Sequence, residues 1–344
     1  QEWEICDHEG MLGYMAYSGM PSHYPHWSYG KAFEKIKTLY DYGLTGLPYE
    51  MVINSNPALA YLMKGNSLCL QILTIAHVYG HNDFFKNNFT FKSTHADYTI
   101  EDFMSHAKRV RGYIEHPFIG LDKVEAVLDA AHSLSLQQRR NLARKKLTRD
   151  EQAEMVRDQF RQKTDPFGSI HKREAFDDEG FKKAMERNPP RPEEDLLLFI
   201  RDNASHLSEW EKDLLTIVHD EAQYFIPQIE TKIMNEGWAS YWHKKILDSL
   251  ELDFGLGVEF AKNHAQVLAP HPGQLNPYHL GYKVWENIEK RWNEPSKEDL
   301  EKFGESNFKN ADGSKKTGLN KIFEVREADR DTSFIRQYLT MDMM

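Results

Sequence analysis

The sequence predicts a mainly α-helical fold with a small β component. Three observations carry that prediction. Apolar residues recur at helical spacing across residues 66–85 and through most of residues 194–268. β-branched and aromatic residues gather in a single stretch, 49–63, around an Asn-Pro turn, which reads as a strand or an extended pair. The remaining punctuation is Gly and Pro between helical runs rather than the closely spaced turns of an all-β chain.

Taken in order, residues 1–28 hold Trp3, Tyr14, Tyr17, Tyr24, Trp27 and three histidines among Gly and Pro, and read as an irregular aromatic segment packed on something else. Helical spacing follows over 29–41, stopped by Gly43 and Gly46. The 49–63 strand region leads directly into the apolar run 66–85. Residues 96–133 give two helices broken at Pro117 and Gly120. From 134 to 157 the chain is rich in Arg, Lys, Gln and Glu with few apolar anchors, as in a solvated helix or a mobile insertion. Polar sequence then continues to 195, with Pro166, Pro189, Pro190 and Pro192 marking loop. A helix follows from Glu194 to near His206. Two long helices come next, the first opened by a Ser208/Glu211 capping box and the second carrying Pro227 in its first turn. A further helix covers 253–268, a loop runs through Pro272-Gly-Gln-Leu-Asn-Pro-Tyr-His279, and a charged helix extends from Trp285 to Arg291. The tail from Pro295 reads as α/β. This divides one principal domain into 1–133, a charged insertion 134–192, a helical half 193–294 and a C-terminal appendage 295–344.

Composition narrows the function classes. The 43 basic and 53 acidic residues give a net charge of −10, so a nucleic-acid surface is not expected. Two cysteines far apart, Cys6 and Cys69, suit reduced thiols and a cytoplasmic location. No 18-residue apolar run predicts a membrane span, and no leader pattern opens the chain. The start at Gln1 and the ending Met-Asp-Met-Met suggest a piece of a longer protein.

The chemistry gathers around the 66–85 helix. His77 and His81 stand four residues apart, and a helix advances about 100° per residue, so both imidazoles share a face and reach one cation. The bland alternative is a hydrogen-bonded core pair. In the familiar zinc-protease motif HExxH the second position is the general base, whereas here it is Val78. Glu236 sits mid-helix beside Ile233, Trp238, Ala239 and Trp242, where an unpaired carboxylate is costly. It is either a third ligand or half of a buried salt bridge. His243, seven residues on, shares its face and would orient the carboxylate or touch a substrate.

The stretches HVYGHNDFFKNN, NEGWASYWH and HPGQLNPYHLGYKVWE resemble the stage V sporulation protein R (SpoVR) family, over nearly the whole chain. That resemblance implies a bacterial cytoplasmic protein linked to late sporulation and spore cortex formation, in a family also found in bacteria that make no spores. The order HxxGH, EGWAxY and PGQxxxYxxG is similar, more distantly, to mostly helical zinc carboxypeptidases, which implies a zincin-like helical metallohydrolase architecture. By that resemblance His77, His81 and Glu236 would hold zinc or another divalent metal. Tyr278 would stabilise an oxyanion, with His279 beside it. Because Val78 replaces the usual glutamate, the base would come from elsewhere, Glu221 first, with Asp83, His219 and Asp220 weaker. His106, His116, His264 and His271 read as structural or surface groups.

Two functions follow. One is a metal-dependent hydrolase of peptide or amide bonds, with a cell-wall peptide or its precursor as substrate. The other is a non-catalytic regulatory or scaffold protein on a degenerate metallopeptidase fold, meeting a protein partner through the charged insertion.

Overall fold

The computed structural model describes residues 1–42, 50–140, 147–162, 178–186, 194–270, 273–340 and 343. The expected stops at Gly43 and Gly46, the proline markers 166, 189, 190 and 192, His271 and Pro272 lie outside the described residues. In chain order the elements are β1 (Glu2–Cys6), α1 (His8–Ala16), α2 (Trp27–Asp41), β2 (Glu50–Ile53), β3 (Leu59–Met63), α3 (Leu68–Asn87), α4 (Thr99–Glu115), α5 (Leu121–Leu134), α6 (Arg149–Gln162), α7 (Asp178–Met185), α8 (Leu196–Asn203), α9 (Glu209–Glu230), α10 (Lys232–Asp248), α11 (Phe254–Val267), α12 (Pro277–Asn293), α13 (Lys297–Phe303), α14 (Gly318–Ala328) and α15 (Asp331–Tyr338). Among the described residues the fold is mainly helical with one three-stranded sheet in the order β1-β3-β2, β1 parallel and β2 antiparallel to β3. No helix among the described residues is long and apolar enough to cross a membrane.

The chain divides into two compact units, Gln1–Leu121 with Gln223–Met344, and Asp122–Ala222. In the first, α10 packs chiefly on α12 and α3. Glycines set how close these helices come. A Cβ on Gly80 of α3 would stand 2.7 Å from the Ala239 Cα of α10, and one on Gly281 of α12 would run into the Ile233 carbonyl and the Gly237 backbone of α10. Around that crossing Trp238, Trp285 and Trp292 are fully buried with Phe84, Ile288, Ile322 and Phe334. Truncating a buried side chain of this size to Ala typically costs about 3–5 kcal/mol. The Trp285 indole donates to the Met234 carbonyl at 3.0 Å, so burial leaves its N–H satisfied. A smaller cluster under the sheet joins Met11, Met20, Ile53, Tyr61, Phe103 and Tyr224.

In the second unit Asp195 caps α8 by accepting from the Leu198 amide at 3.0 Å. Its other oxygen lies 2.9 Å from His219 Nε2, and Asp220 stands 2.9 Å from His219 Nδ1. Burial alone would lower the imidazole's affinity for its proton, but the two carboxylates raise its pKa to about 9. His219 is therefore a buried imidazolium pinning α9 to the start of α8.

Several sequence expectations change. Residues 2–6 and 8–16 form β1 and α1 rather than an irregular segment. The polar–apolar alternation of Glu2–Cys6 signals the strand, and Asp7, accepting from the Gly10 amide, caps the helix. α9 runs through Pro227 and breaks four residues later at Thr231, so Pro227 does not open the next helix. Glu211 does reach back to the Ser208 amide at 2.8 Å, which is the glutamate half of the expected box. Asp178–Met185 is a helix where loop was expected. The expected loop around Tyr278 and His279 is the first turn of α12: Asn276 accepts from both their amides, and Pro277 occupies the first helical positions. The tail is helical rather than α/β, with only the isolated bridge Lys309–Lys315 among its described residues.

Two outcomes check this packing. Gly281→Ala is expected to lower stability by about 1–3 kcal/mol or more in urea unfolding, since backbone rather than a flexible side chain must give way. Gly112→Ala, mid-α4 with nothing near its Cβ, is expected to stabilise by about 0.5–1 kcal/mol. For His219, whose pKa is raised on folding, the contribution is full below about pH 6.5 and lost as pH rises through about 9. Thermal scans from pH 6 to pH 10 should show that loss in the wild type and not in His219→Gln.

Candidate metal centre

Ser67 starts α3 by accepting from the Leu70 amide, and the helix then runs twenty residues with His77 and His81 one turn apart, both buried. Val78 is fully buried in the core, so the position next to His77 offers no acid or base. Close approach at Gly80 brings α10 alongside, and with it Glu236, whose Oε2 stands 3.3 Å from His81 Nε2 and 3.7 Å from His77 Nε2. The fourth member comes from the sheet. Glu50, first residue of β2, places Oε1 3.0 Å from His77 Nε2 and 3.8 Å from His81 Nε2. One donor atom from each of the four residues lies within 4.8 Å of all the others.

The groups behind the cluster aim it. His81 Nδ1 lies 2.8 Å from the Asn235 Oδ1, which can only accept, so the ring's N–H points there and Nε2 faces the carboxylates. His77 Nδ1 lies 2.8 Å from His243 Nδ1, and His243 Nε2 lies 2.7 Å from His264 Nδ1. Lys232, one turn before Glu236, donates to its Oε1 at 2.6 Å. Asp331 accepts from the Ile233 and Met234 amides at 2.8 Å each and anchors the first turn of α10. Burial raises its pKa to about 6.

Burial penalises charge on every member of the cluster, yet mutual attraction wins. Burial alone would raise the Glu50 carboxyl, and the His77 and His81 imidazoles hold it below its usual range instead. Glu236 is held well below that range by the same two rings and Lys232 against the same penalty. Both cluster imidazoles are correspondingly raised. His243 behaves oppositely: burial and the neighbouring histidines keep it neutral. His264 is lowered to about 4, mainly by burial and then by Lys244.

The donor set fits a divalent cation. Glu236 Oε2, the oxygen facing both histidines, is buried without a hydrogen-bond partner among the described residues, a costly state that a cation would relieve. Ligands at about 2.0–2.1 Å around a tetrahedral ion lie about 3.4 Å apart, and Glu236 Oε2, 3.3 and 3.7 Å from the two imidazole nitrogens, suits that spacing with Glu50 beside the fourth position. Two imidazoles and a carboxylate suit zinc and neighbouring borderline metals.

The residues singled out from sequence are distributed as follows. His77, His81 and Glu236 come together. Tyr278 joins them, its ring 6.0 Å from that of His77 and tilted 30° to it. His243 meets His77, with 2.8 Å between their Nδ1 atoms. His279 points its Nδ1 at the Leu268 carbonyl, 2.7 Å away, and ties the start of α12 to the end of α11. Asp83 accepts from Trp238 Nε1 at 3.0 Å and from Arg326, whose guanidinium lies over the Trp238 ring. Glu221, His219 and Asp220 belong to the second unit, where Glu221 is buried. Sequence reasoning missed Glu50, whose only local signal is its place at the head of the expected strand. It also missed the role of His264, which reads as an ordinary helix-face histidine.

Fold and site together define a helical protein with a buried His₂Glu₂ cluster built across two helices and a strand. The whole chain, residues 1–344, matches the family model described as "SpoVR like protein". It is 34% identical over 362 aligned positions to "Uncharacterized protein YcgB" of Escherichia coli (strain K12), covering 99% of this chain and 68% of that protein. The chain belongs to the SpoVR family. No solved structure matches it.

Elemental analysis of protein purified without chelator provides the direct check. About one zinc or similar ion per chain is expected in the wild type, with loss in His81→Ala and Glu236→Ala and retention in Glu50→Gln. Uptake should release protons and weaken as pH falls, because both imidazoles must be unprotonated to bind.

Proposed function

We propose that this SpoVR-family protein is a metal-dependent hydrolase of peptide or amide bonds, with His77, His81 and Glu236 holding a divalent ion and Glu50 beside the open position. The observation that carries this reading is the placement of Glu50: a buried carboxylate from a strand stands over the two histidines, supplying the acid–base group that Val78 does not. When bound, the ion would supply Lewis acidity to a carbonyl and to water.

The chain's own residues account for the rest. Glu50, with one oxygen near the imidazoles and the other without a hydrogen bond among the described residues, accepts a proton from an attacking water and returns it to the leaving amine. Tyr278, at the first turn of α12 beside His77, donates its hydroxyl to the developing oxyanion. Asn276 and His279 hold that turn in place. Lys232 keeps Glu236 ionised and aimed at the histidines. β2 pairs with β3 and forms one end of the sheet, so an extended peptide added beside it would run past Glu50. The association of the family with sporulation favours a cell-wall peptide or its precursor.

Incubating the zinc-loaded protein with muropeptide stem peptides and unrelated peptides, with mass spectrometry as readout, tests the proposal. Cleavage is expected, falling by about 10²–10⁴ in Glu50→Gln and about 10²–10³ in Tyr278→Phe, with the ion still held in Tyr278→Phe. A wild type that binds the ion and leaves every amide intact would overturn the hydrolase and favour a regulatory protein with a structural metal.

A further inference from the structure

We infer that His243 and His264 are positioning residues that form a hydrogen-bond relay behind His77 and support the tautomer whose Nε2 presents a lone pair to the cluster. This deepens the proposed metal site and rests on it.

The two cluster histidines are held by different means. His81 faces an amide oxygen, Asn235 Oδ1, which only accepts; one contact settles which ring nitrogen carries the proton. His77 faces another imidazole, His243 Nδ1, and an imidazole nitrogen either donates or accepts. His243 alone therefore settles nothing. If its proton sits on Nδ1, it donates to His77 Nδ1, the His77 proton moves to Nε2, and the lone pair facing Glu50 and Glu236 is gone.

The third ring couples the two contacts, so that they can only be made in one sense or the other together. His243 Nε2 stands 2.7 Å from His264 Nδ1, and a gap of that length between nitrogens holds one hydrogen. A neutral imidazole carries a single ring proton, and His243 has a ring nitrogen in each of the two gaps. Two arrangements are then self-consistent. In one, His77 Nδ1 donates to His243 Nδ1 and His243 Nε2 donates to His264 Nδ1. In the other, both hydrogen bonds reverse together. A cation on His77 Nε2 accepts only the first. The register extends from the fully buried His77, through the fully buried His243, to the half-buried His264, whose ring lies edge-on to Tyr282 and against Phe260. An acceptor at position 264 thus completes the arrangement in which His243, and through it His77, holds the binding-competent tautomer.

Two measurements on the full-length chain test this. The first is zinc affinity by competition with a chromophoric chelator for wild type, His264→Leu and His264→Asn, with circular dichroism verifying the fold. Removing an outer partner of a ligating histidine typically costs 10–100-fold, so about a tenfold loss is expected for His264→Leu. His264→Asn, whose side-chain oxygen can accept from His243, should stay close to wild type; a role in packing alone would not be rescued this way. The second is long-range proton–nitrogen correlation of ¹⁵N-histidine wild-type protein loaded with zinc, which reads tautomers without any substitution. His243 is expected protonated at Nε2. Equal affinity in all three proteins, or His243 protonated at Nδ1, would overturn the inference while leaving the metal site standing. A wild type that takes up no zinc would overturn the metal site and the inference with it.

Discussion

The site depends first on backbone meeting backbone. α10 lies against α3 at Gly80 and against α12 at Gly237 and Gly281, and at each crossing a single added carbon would collide with main chain. Helices usually pack about 8–10 Å apart, with side chains between them. Here the side chains are missing where the axes cross, so groups flanking each crossing reach further across. That is how His77 and His81, one turn apart on α3, come within 4 Å of a carboxylate on α10, and how the first turn of α12 places Tyr278 beside them. The three large tryptophans fill the space farther out and hold the helices in that arrangement.

The second constraint is electrostatic. Two carboxylates and two imidazoles have been taken out of water, and such burial is tolerated only when every charge has a partner. Each histidine is backed on its far nitrogen, Glu236 is backed by Lys232, and α10 is anchored by Asp331. Glu50 is the exception: its Oε1 faces the histidines and its Oε2 has no hydrogen-bond partner among the described residues, the disposition of a group kept for a ligand rather than for the fold.

Much of this was readable in the sequence because it is local. The i, i+4 histidines, the buried mid-helix glutamate and the helical period of residues 66–85 each follow from spacing alone. The start of α12 was also written locally, as Asn276 followed by Pro277, but the Pro-Gly-Gln context disguised it as loop. What could not be read is what tertiary packing decides. Glu50 meets the histidines only because β2 folds beside α3. His264 pairs with a ring twenty-one residues earlier on another helix. The tail's Ile, Phe and Val suggested strands, yet Ile322, Val325 and Phe334 enter the tryptophan core as helical faces, where burial outweighs intrinsic preference. Pro227 misled in the opposite direction: α9 absorbs it and ends at Thr231, whose hydroxyl donates to the Pro227 carbonyl.

α10 carries duties on every side within twelve residues. Lys232 and Glu236 serve the cluster, Asn235 and His243 aim its histidines, Gly237 and Ala239 admit the neighbouring helices, and Trp238 anchors the core. A helix with no idle face cannot rotate, slide or lengthen without disturbing several of these contacts at once. Evolutionary drift across the family should therefore spare Lys232–His243 and accumulate on surfaces such as α6 and α7, so the history of substitutions among relatives would trace the outline of this one helix.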